Sequence, residues 1–299
     1  MTKGKKKQVL TREEKVAYLF ISVPVILFIL FTLIPIGEVF YLSLTNYDVI
    51  KDPKWVGLKN FKKLFNDEFF WVALKNTVKY TLMYVPTGLL ASLLSALFLN
   101  TNKKIAELFR TFYYIPVLSS TVATATLWFW ILNPQLGLLN KILALFGISG
   151  PAWLYDSQWA MVGIVVMSVW AGFGSNMMIF LSGLKGIPTN LYESAQLDGA
   201  GKFAIFRYVT LPSLSRTTFF VSTNLIIGAF QVFDQAFVLT RGGPGNATIT
   251  LVYYIYNNGF KNLKMGYASA ITVILFMMIA AMSFINMKIN KADDDGGLM

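Results

Sequence analysis

The chain has neither cysteine nor histidine among its 299 residues. Without Cys there is no disulfide, no thiolate metal site and no thiol nucleophile. Without His the usual general base and the commonest metal ligand are missing. Charge is scarce too, Asp, Glu, Lys and Arg making up 14% of a sequence that is 55% hydrophobic. A soluble domain of this length needs far more charge to cover its surface, so the composition belongs to a polytopic helical membrane protein. No stretch reads G-x-x-x-x-G-K-[ST], so the chain carries no nucleotide-binding loop of that type. The net charge of +11 would point to nucleic acid in a soluble protein. Here it is what basic flanks of membrane spans produce, and no nucleic-acid partner is expected.

What is present is a succession of long apolar runs. A basic lead at 1–15 precedes a run from Val16 to Leu44, too long for the apolar core of a secretory signal, which extends over about 7–15 residues. The reading is all-α, with six transmembrane spans at 16–44, 76–99, 113–132, 160–184, 217–239 and 267–287 inside a membrane body of 16–289, and a tail at 290–299. The stretch 46–75 mixes charge with aromatics that suit a helix lying at the headgroup level. Between Leu138 and Trp159 only a short helical piece near Lys141–Leu145 is expected. Lys and Arg are more numerous on the side that holds both termini, which places the termini and the polar stretch 185–216 in the cytoplasm.

That stretch is a polar island between two apolar runs. Pro188-Thr-Asn-Leu-Tyr-Glu193 has the pattern of a helix start, with Asn190 as N-cap and Glu193 reaching back to its amide. Asp198-Gly199 has the pattern of a stop, Gly199 taking the left-handed conformation. A second helix is expected from Lys202 to Val209, ending before Leu211-Pro212. On residues alone, the plainer reading is an ordinary, well-capped cytoplasmic loop.

Glu193-Ser-Ala-x-x-Asp198-Gly199-Ala200, followed by Phe206 and Leu211-Pro212, resembles the EAA loop of the membrane subunits of ATP-binding-cassette importers. Ser194 and Val209 stand where Ala and Ile are usual. Leu239-Thr240-x-Gly242-Gly243-Pro244-Gly245-x-Ala247-Thr248 and Asn133-Pro134-x-x-Gly137-x-x-Asn140 resemble two further segments of the carbohydrate permeases in this group. The likeness extends over essentially the whole chain. It implies a bacterial cell-membrane permease that pairs with a second, different permease, with two copies of a cytoplasmic ATPase and with an extracellular solute-binding protein. It also implies a sugar or oligosaccharide substrate, no catalysis and no cofactor on this chain, and ATP with Mg on the partner ATPase. The ATPase-coupling residues implied are Tyr192, Glu193, Ala195, Asp198, Gly199 and Ala200, with Leu191, Tyr192 and Leu197 as apolar anchors.

Polar groups inside apolar spans are costly and face protein or water. Asn224, Gly228 and Gln231 fall on one helical face of the fifth run; Ser168, Gly172 and Asn176 form a stripe in the fourth, and Thr121 and Thr124 in the third. These are the candidate pathway residues, amides and hydroxyls that match sugar hydroxyls. Such stripes are equally how membrane helices pack against one another. Glu38, Lys79 and Asp234 are the charges within or near spans, and they carry the alternative of a stand-alone, ion-coupled secondary transporter. A membrane enzyme ranks last, since the spans hold no clustered carboxylates.

Overall fold

The computed structural model describes residues 11–101 and 103–296; most of the expected basic lead and the last three residues lie outside it. The first apolar run forms α1 (Arg12–Phe28), a π-turn (Ile29–Leu33) and α2 (Ile34–Ser43). Its second half meets the rest of the chain, Phe40 lying edge-on to Phe276 at 6.0 Å. None of its most apolar stretch is buried. A short α3 (Lys59–Phe65) fills part of the expected interfacial stretch, and the Asn60 amide ties it to the carbonyls of Ser43 (2.9 Å) and Thr45 (2.7 Å).

The second span begins earlier than its hydropathy suggests. Asp67 accepts a bond from the Phe69 amide at 3.0 Å and Glu68 adds an acid to the first turn, so α4 runs from Glu68 to Leu99. N-cap acceptors and first-turn acids satisfy the free amides and the helix dipole there. The expected third span is divided. The helices α5 (Lys104–Leu118) and α6 (Thr121–Ile131) meet at 103°, because Ser119 and Ser120 take extended backbone angles. Arg110 holds α5 to the end of α4 through bonds to the carbonyls of Leu99 (2.6 Å) and Thr101 (2.8 Å).

After a short α7 (Leu138–Leu145) comes α8 (Ala160–Lys185), at the bounds expected for the fourth span. Half of its most apolar window is buried, a larger share than for the other spanning helices, so α8 is the centre of the bundle. The polar island contributes α9 (Thr189–Leu197), α10 (Lys202–Ile205), a π-turn (Phe206–Thr210) and α11 (Leu211–Ser213). The expected fifth span is also broken: α12 (Ser215–Phe230) stops, Gln231–Phe233 interrupt it, and α13 (Asp234–Leu239) follows. The Thr250 hydroxyl donates to the Val232 carbonyl (2.8 Å), satisfying a carbonyl at the break. Beyond it lie α14 (Leu251–Tyr256), a π-turn (Asn257–Lys261) and α15 (Met265–Gly296), which runs on past the expected span and through the acidic tail.

Among the described residues, four helices are long and apolar enough to cross a membrane, or five if the bent α5–α6 pair counts as one. The expected six continuous spans are therefore not all continuous, although the all-α architecture holds, with one isolated bridge between Thr45 and Trp55. The core lies along the α4–α8 seam. There Tyr80 and Tyr84 stack at 5.3 Å, and the Ser92 hydroxyl reaches both its own helix at Gly88 (2.6 Å) and the Phe173 carbonyl of α8 (3.3 Å). Small residues at such seams let helices approach where hydrocarbon gives no hydrophobic drive to pack.

Candidate coupling loop and solute pathway

The helix of the polar island starts one residue ahead of the expected cap. Pro188 occupies the N-cap, α9 begins at Thr189, and no side chain caps it, so Asn190 and Glu193 do not form the expected capping box. Pro188 cannot lend a side-chain acceptor, but its fixed φ sets the chain into the first turn. The other end is as expected and more complete. Gly199 has φ +77, its amide bonds the Gln196 carbonyl at 3.0 Å, and the Ala200 amide bonds the Ala195 carbonyl at 2.9 Å. This pair of bonds is the Schellman arrangement.

The chain does not end its second helix before Leu211-Pro212, as expected, but continues through the π-turn into α11. A π-turn accommodates the missing amide of Pro212 without stopping the helix. Tyr192 faces inward, half-buried, its hydroxyl 3.3 Å from that of Thr210 and its ring against the cluster of Leu184 and Leu214. It therefore steadies the loop from its inner side. Leu191 and Leu197 are exposed, Leu197 at 89%, and so are Glu193 and Asp198, while Ala195 and Ala200 are half-buried. Phe203 (78% exposed) and Tyr208 (76%), with Arg207 lying over the Tyr208 ring at 5.8 Å, are exposed further along the island. Sequence reasoning passed over Phe203 and Tyr208; their signal was two large apolar residues on an otherwise polar loop.

The two other motif segments prove to be architectural. Asn133 accepts from the amides of Gln135 (3.0 Å) and Leu136 (2.9 Å); Asn140 donates to the carbonyls of Pro134 (3.0 Å) and Pro151 (3.2 Å) and accepts from the Trp153 indole at 2.6 Å. A Cβ on Gly137 would lie 2.3 Å from the Asn133 carbonyl oxygen, so only glycine fits that turn. In the second segment the hydroxyls of Thr240 and Thr248 meet at 2.6 Å, and Thr248 also donates to the Gly243 carbonyl at 2.8 Å, closing the glycine-rich turn.

The structure separates the candidate pathway residues into two groups. Ser168 returns its hydroxyl to Ile164 (2.8 Å), Asn176 donates to Gly172 (3.4 Å), and a Cβ on Gly172 would sit 3.0 Å from the Tyr84 hydroxyl. These three lie at or beside the α4–α8 seam, Ser168 and Asn176 buried and Gly172 half-buried. Thr124 is buried as well, and Thr121 is half-buried at the start of α6. Asn224, Gly228 and Gln231, in contrast, are exposed along α12, with nothing within 4 Å of a Cβ at Gly228. A cavity of about 490 Å³ lies between α6, the end of α13 and the turn before α8, lined by Thr126, Phe129, Tyr155, Thr240 and Arg241 among others. Glu38, Lys79 and Asp234 are all exposed. No three acidic side chains come together as a metal-ligand set among the described residues.

At the start of α4 sits a clamp that sequence reasoning did not find. Asp67 accepts from the hydroxyls of Tyr254 (2.6 Å) and Tyr267, and the Lys63 ammonium lies 5.0 Å from the Tyr267 ring centre. Asn76 donates to the carbonyls of Asn246 (2.8 Å) and Ile249 (3.0 Å), and the Leu251 amide bonds the Thr77 hydroxyl at 2.9 Å. Burial pushes the Asp67 carboxyl up, but the bonds from the two tyrosines and from the amides of Phe69 and Phe70 outweigh it and hold the group below its ordinary value of 3.8. Burial and the bond to Asp67 push the Tyr254 phenol up to about 12. Each of these pairs is distant in sequence, so no local pattern announces it.

The same chain order and the same folded shape occur in known proteins. The family described as "Binding-protein-dependent transport system inner membrane component" matches residues 88–291. The probable ABC transporter permease protein YurN of Bacillus subtilis (strain 168) is 37% identical over 92% of this chain and 96% of its own length. The arabinooligosaccharides transport system permease protein AraP of the same organism is 35% identical over 91% of this chain and 88% of its own. A crystal structure of a bacterial ABC transporter that imports the acidic polysaccharide alginate has a chain with TM-score 0.82, covering 94% of this chain and 96% of that one at 23% identity, a likeness of fold. With its polar island, its broken α12 and a match extending over most of its length, this chain belongs to the inner-membrane components of binding-protein-dependent transport systems, the multi-pass translocation subunits of ABC importers.

Proposed function

We propose that this subunit forms half of the passage for a sugar or oligosaccharide and takes its motion from a cytoplasmic ATPase through residues 190–212. The observation that carries the coupling half is the outward surface of the island. Leu191, Leu197, Phe203 and Tyr208 stand exposed on a loop closed by the Schellman turn at Gly199, with the Glu193 and Asp198 carboxylates among them. A rigid, capped helix presenting apolar anchors ringed by charge is the kind of surface that docks into a protein groove. The island sits between α8 and α12, so displacement of the docked helix is passed to both. ATP and Mg belong to the partner ATPase in this reading, and both termini are cytoplasmic, which puts the Asp67 clamp on the outer side.

The solute half is supported by Asn224, Gly228 and Gln231, exposed amides and an open glycine on a helix that otherwise belongs in hydrocarbon. The relatives include permeases whose names specify arabinooligosaccharides and lactose. An alginate transporter was crystallised with its pentasaccharide-bound periplasmic protein. A binding protein and a carbohydrate are the corresponding expectations here, together with a second permease and two ATPase copies. The free surface of α1 and of the adjoining π-turn, where Phe20 and Phe31 are about three-quarters exposed, leaves room for such a second membrane chain.

The test is co-purification. The native assembly should bring down an ATPase, and Leu197→Asp should lose it while the chain stays in the membrane. Sugar uptake that needs no ATPase, or an ATPase retained by Leu197→Asp together with Phe203→Asp, would overturn the reading. The Gln231→Ala and Asn224→Ala variants should raise KM for uptake without lowering the melting temperature, since both side chains are exposed.

A further inference from the structure

A row of rings begins two residues after Gln231. Phe233 and Phe237 stack with centroids 5.3 Å apart; Tyr256 lies 5.2 Å from Phe233 and 5.5 Å from Phe237; Phe260 stacks beyond Tyr256 at 5.8 Å. Tyr253 forms the buried floor of this row, its hydroxyl donating to the Arg241 carbonyl at 2.9 Å. Exposure rises outward, from half-buried Phe233, Phe237 and Tyr256 to Phe260 at 65%. The row is fixed to the break in the fifth apolar run by the bond from Thr250 to Val232.

A cation accompanies the rings. The Lys261 ammonium lies over both Tyr253 (5.8 Å) and Tyr256 (5.5 Å). The rings continue one behind another from Gln231, the last amide of the exposed stripe, with this donor alongside.

We infer that this row is a stacking platform for the rings of an oligosaccharide at the mouth of the solute passage, handing the chain on to Gln231, Gly228 and Asn224. The inference rests on the carbohydrate reading above and adds a site to it. A pyranose ring has an apolar face that packs on an aromatic face and a rim of hydroxyls that need polar partners. The exposed Phe260 supplies the outermost face, the half-buried Tyr256 and Phe233 the next, and Lys261 donates to ring hydroxyls. Because successive rings offer successive faces, the platform favours oligosaccharides over monosaccharides.

The experiment uses the native assembly with its binding protein in proteoliposomes and a panel of short malto-, cello- and xylo-oligosaccharides as probes. For whichever probe the wild-type imports, Phe260→Ala and Tyr256→Leu should raise KM roughly three- to tenfold, and Phe260→Trp should keep it at the wild-type value. Two results overturn the platform: an unchanged KM in both variants, or a loss of binding-protein docking to the vesicles that accounts for the whole defect. If the wild-type assembly imports none of the panel, the carbohydrate reading itself fails and this inference fails with it, an outcome visible before any variant is made.

Discussion

Ala195 and Ala200 are joined by a single backbone bond of 2.9 Å, and that bond gives the most recognisable stretch of the sequence its physical meaning. It exists only because Gly199 holds φ +77, a conformation that costs an L-residue roughly 1–2 kcal/mol. No atom lies within 4 Å of the Cβ that alanine would add there. Gly199→Ala should therefore cost backbone strain of that order and no clash, loosening the end of α9; ATPase co-purification measured across rising detergent or salt should fall earlier than in the wild type. The stop at Gly199 was legible because left-handed residues have a narrow chemistry, whereas the inward turn of Tyr192 was not, since its partner Thr210 comes from beyond α10. Asp67 makes the second residue-scale prediction. Its folded carboxyl lies below 3.8, so its contribution to stability is present in full above that value and is lost as pH falls through the lower folded one. Melting temperatures in detergent should show a wild-type decline in that acidic window that Asp67→Asn, already destabilised at neutral pH, lacks.

At the level of elements, the unbroken helices were the readable ones. The bounds of α8 agree with its apolar run because the Asp156 turn leads into it, the Asp156 carbonyl accepting from the Ala160 amide at 2.8 Å, and Lys185-Gly186 closes it. The bend between α5 and α6 was invisible, for Ser119-Ser120 carries no proline or glycine and hydropathy continues across it. The interruption at Gln231–Phe233 was hidden in the same way, its carbonyl being satisfied by Thr250 from a later loop. Asn133-Pro134-x-x-Gly137-x-x-Asn140 was visible as a pattern, but its purpose needed coordinates: it is a lock for the segment between α6 and α8. Asn140→Ala would leave the buried Trp153 indole without its acceptor and release the Pro134 and Pro151 carbonyls. A loss of about 1–3 kcal/mol follows, to be read as a lowered melting temperature of the purified chain, with Asn140→Asp retaining more than Asn140→Ala.

For the whole molecule, the absence of cysteine becomes an experimental convenience. Leu27, half exposed on α1, can be replaced by a single cysteine with no competing thiol. A photoreactive maleimide at Leu27→Cys in the native assembly should cross-link a second permease; adducts to lipid alone would leave α1 facing the bilayer. The clamp at the start of α4 has a mechanical corollary. With Asn76 and Thr77 tied to the 246–251 loop, α4 is a beam pinned at its start, and from Thr77 to Leu99 it is roughly 33 Å long. Leu99, at the far end, packs in the same cluster as Leu184 and Leu214, against which Tyr192 of the polar island also rests. Turning that beam by about 5° carries Leu99 through roughly 3 Å, while a residue halfway along, near Gly88 and its neighbour Leu225, moves only half as far. In the proposed coupling, a stroke delivered at residues 190–212 arrives at mid-membrane geared down, with less travel and correspondingly more force.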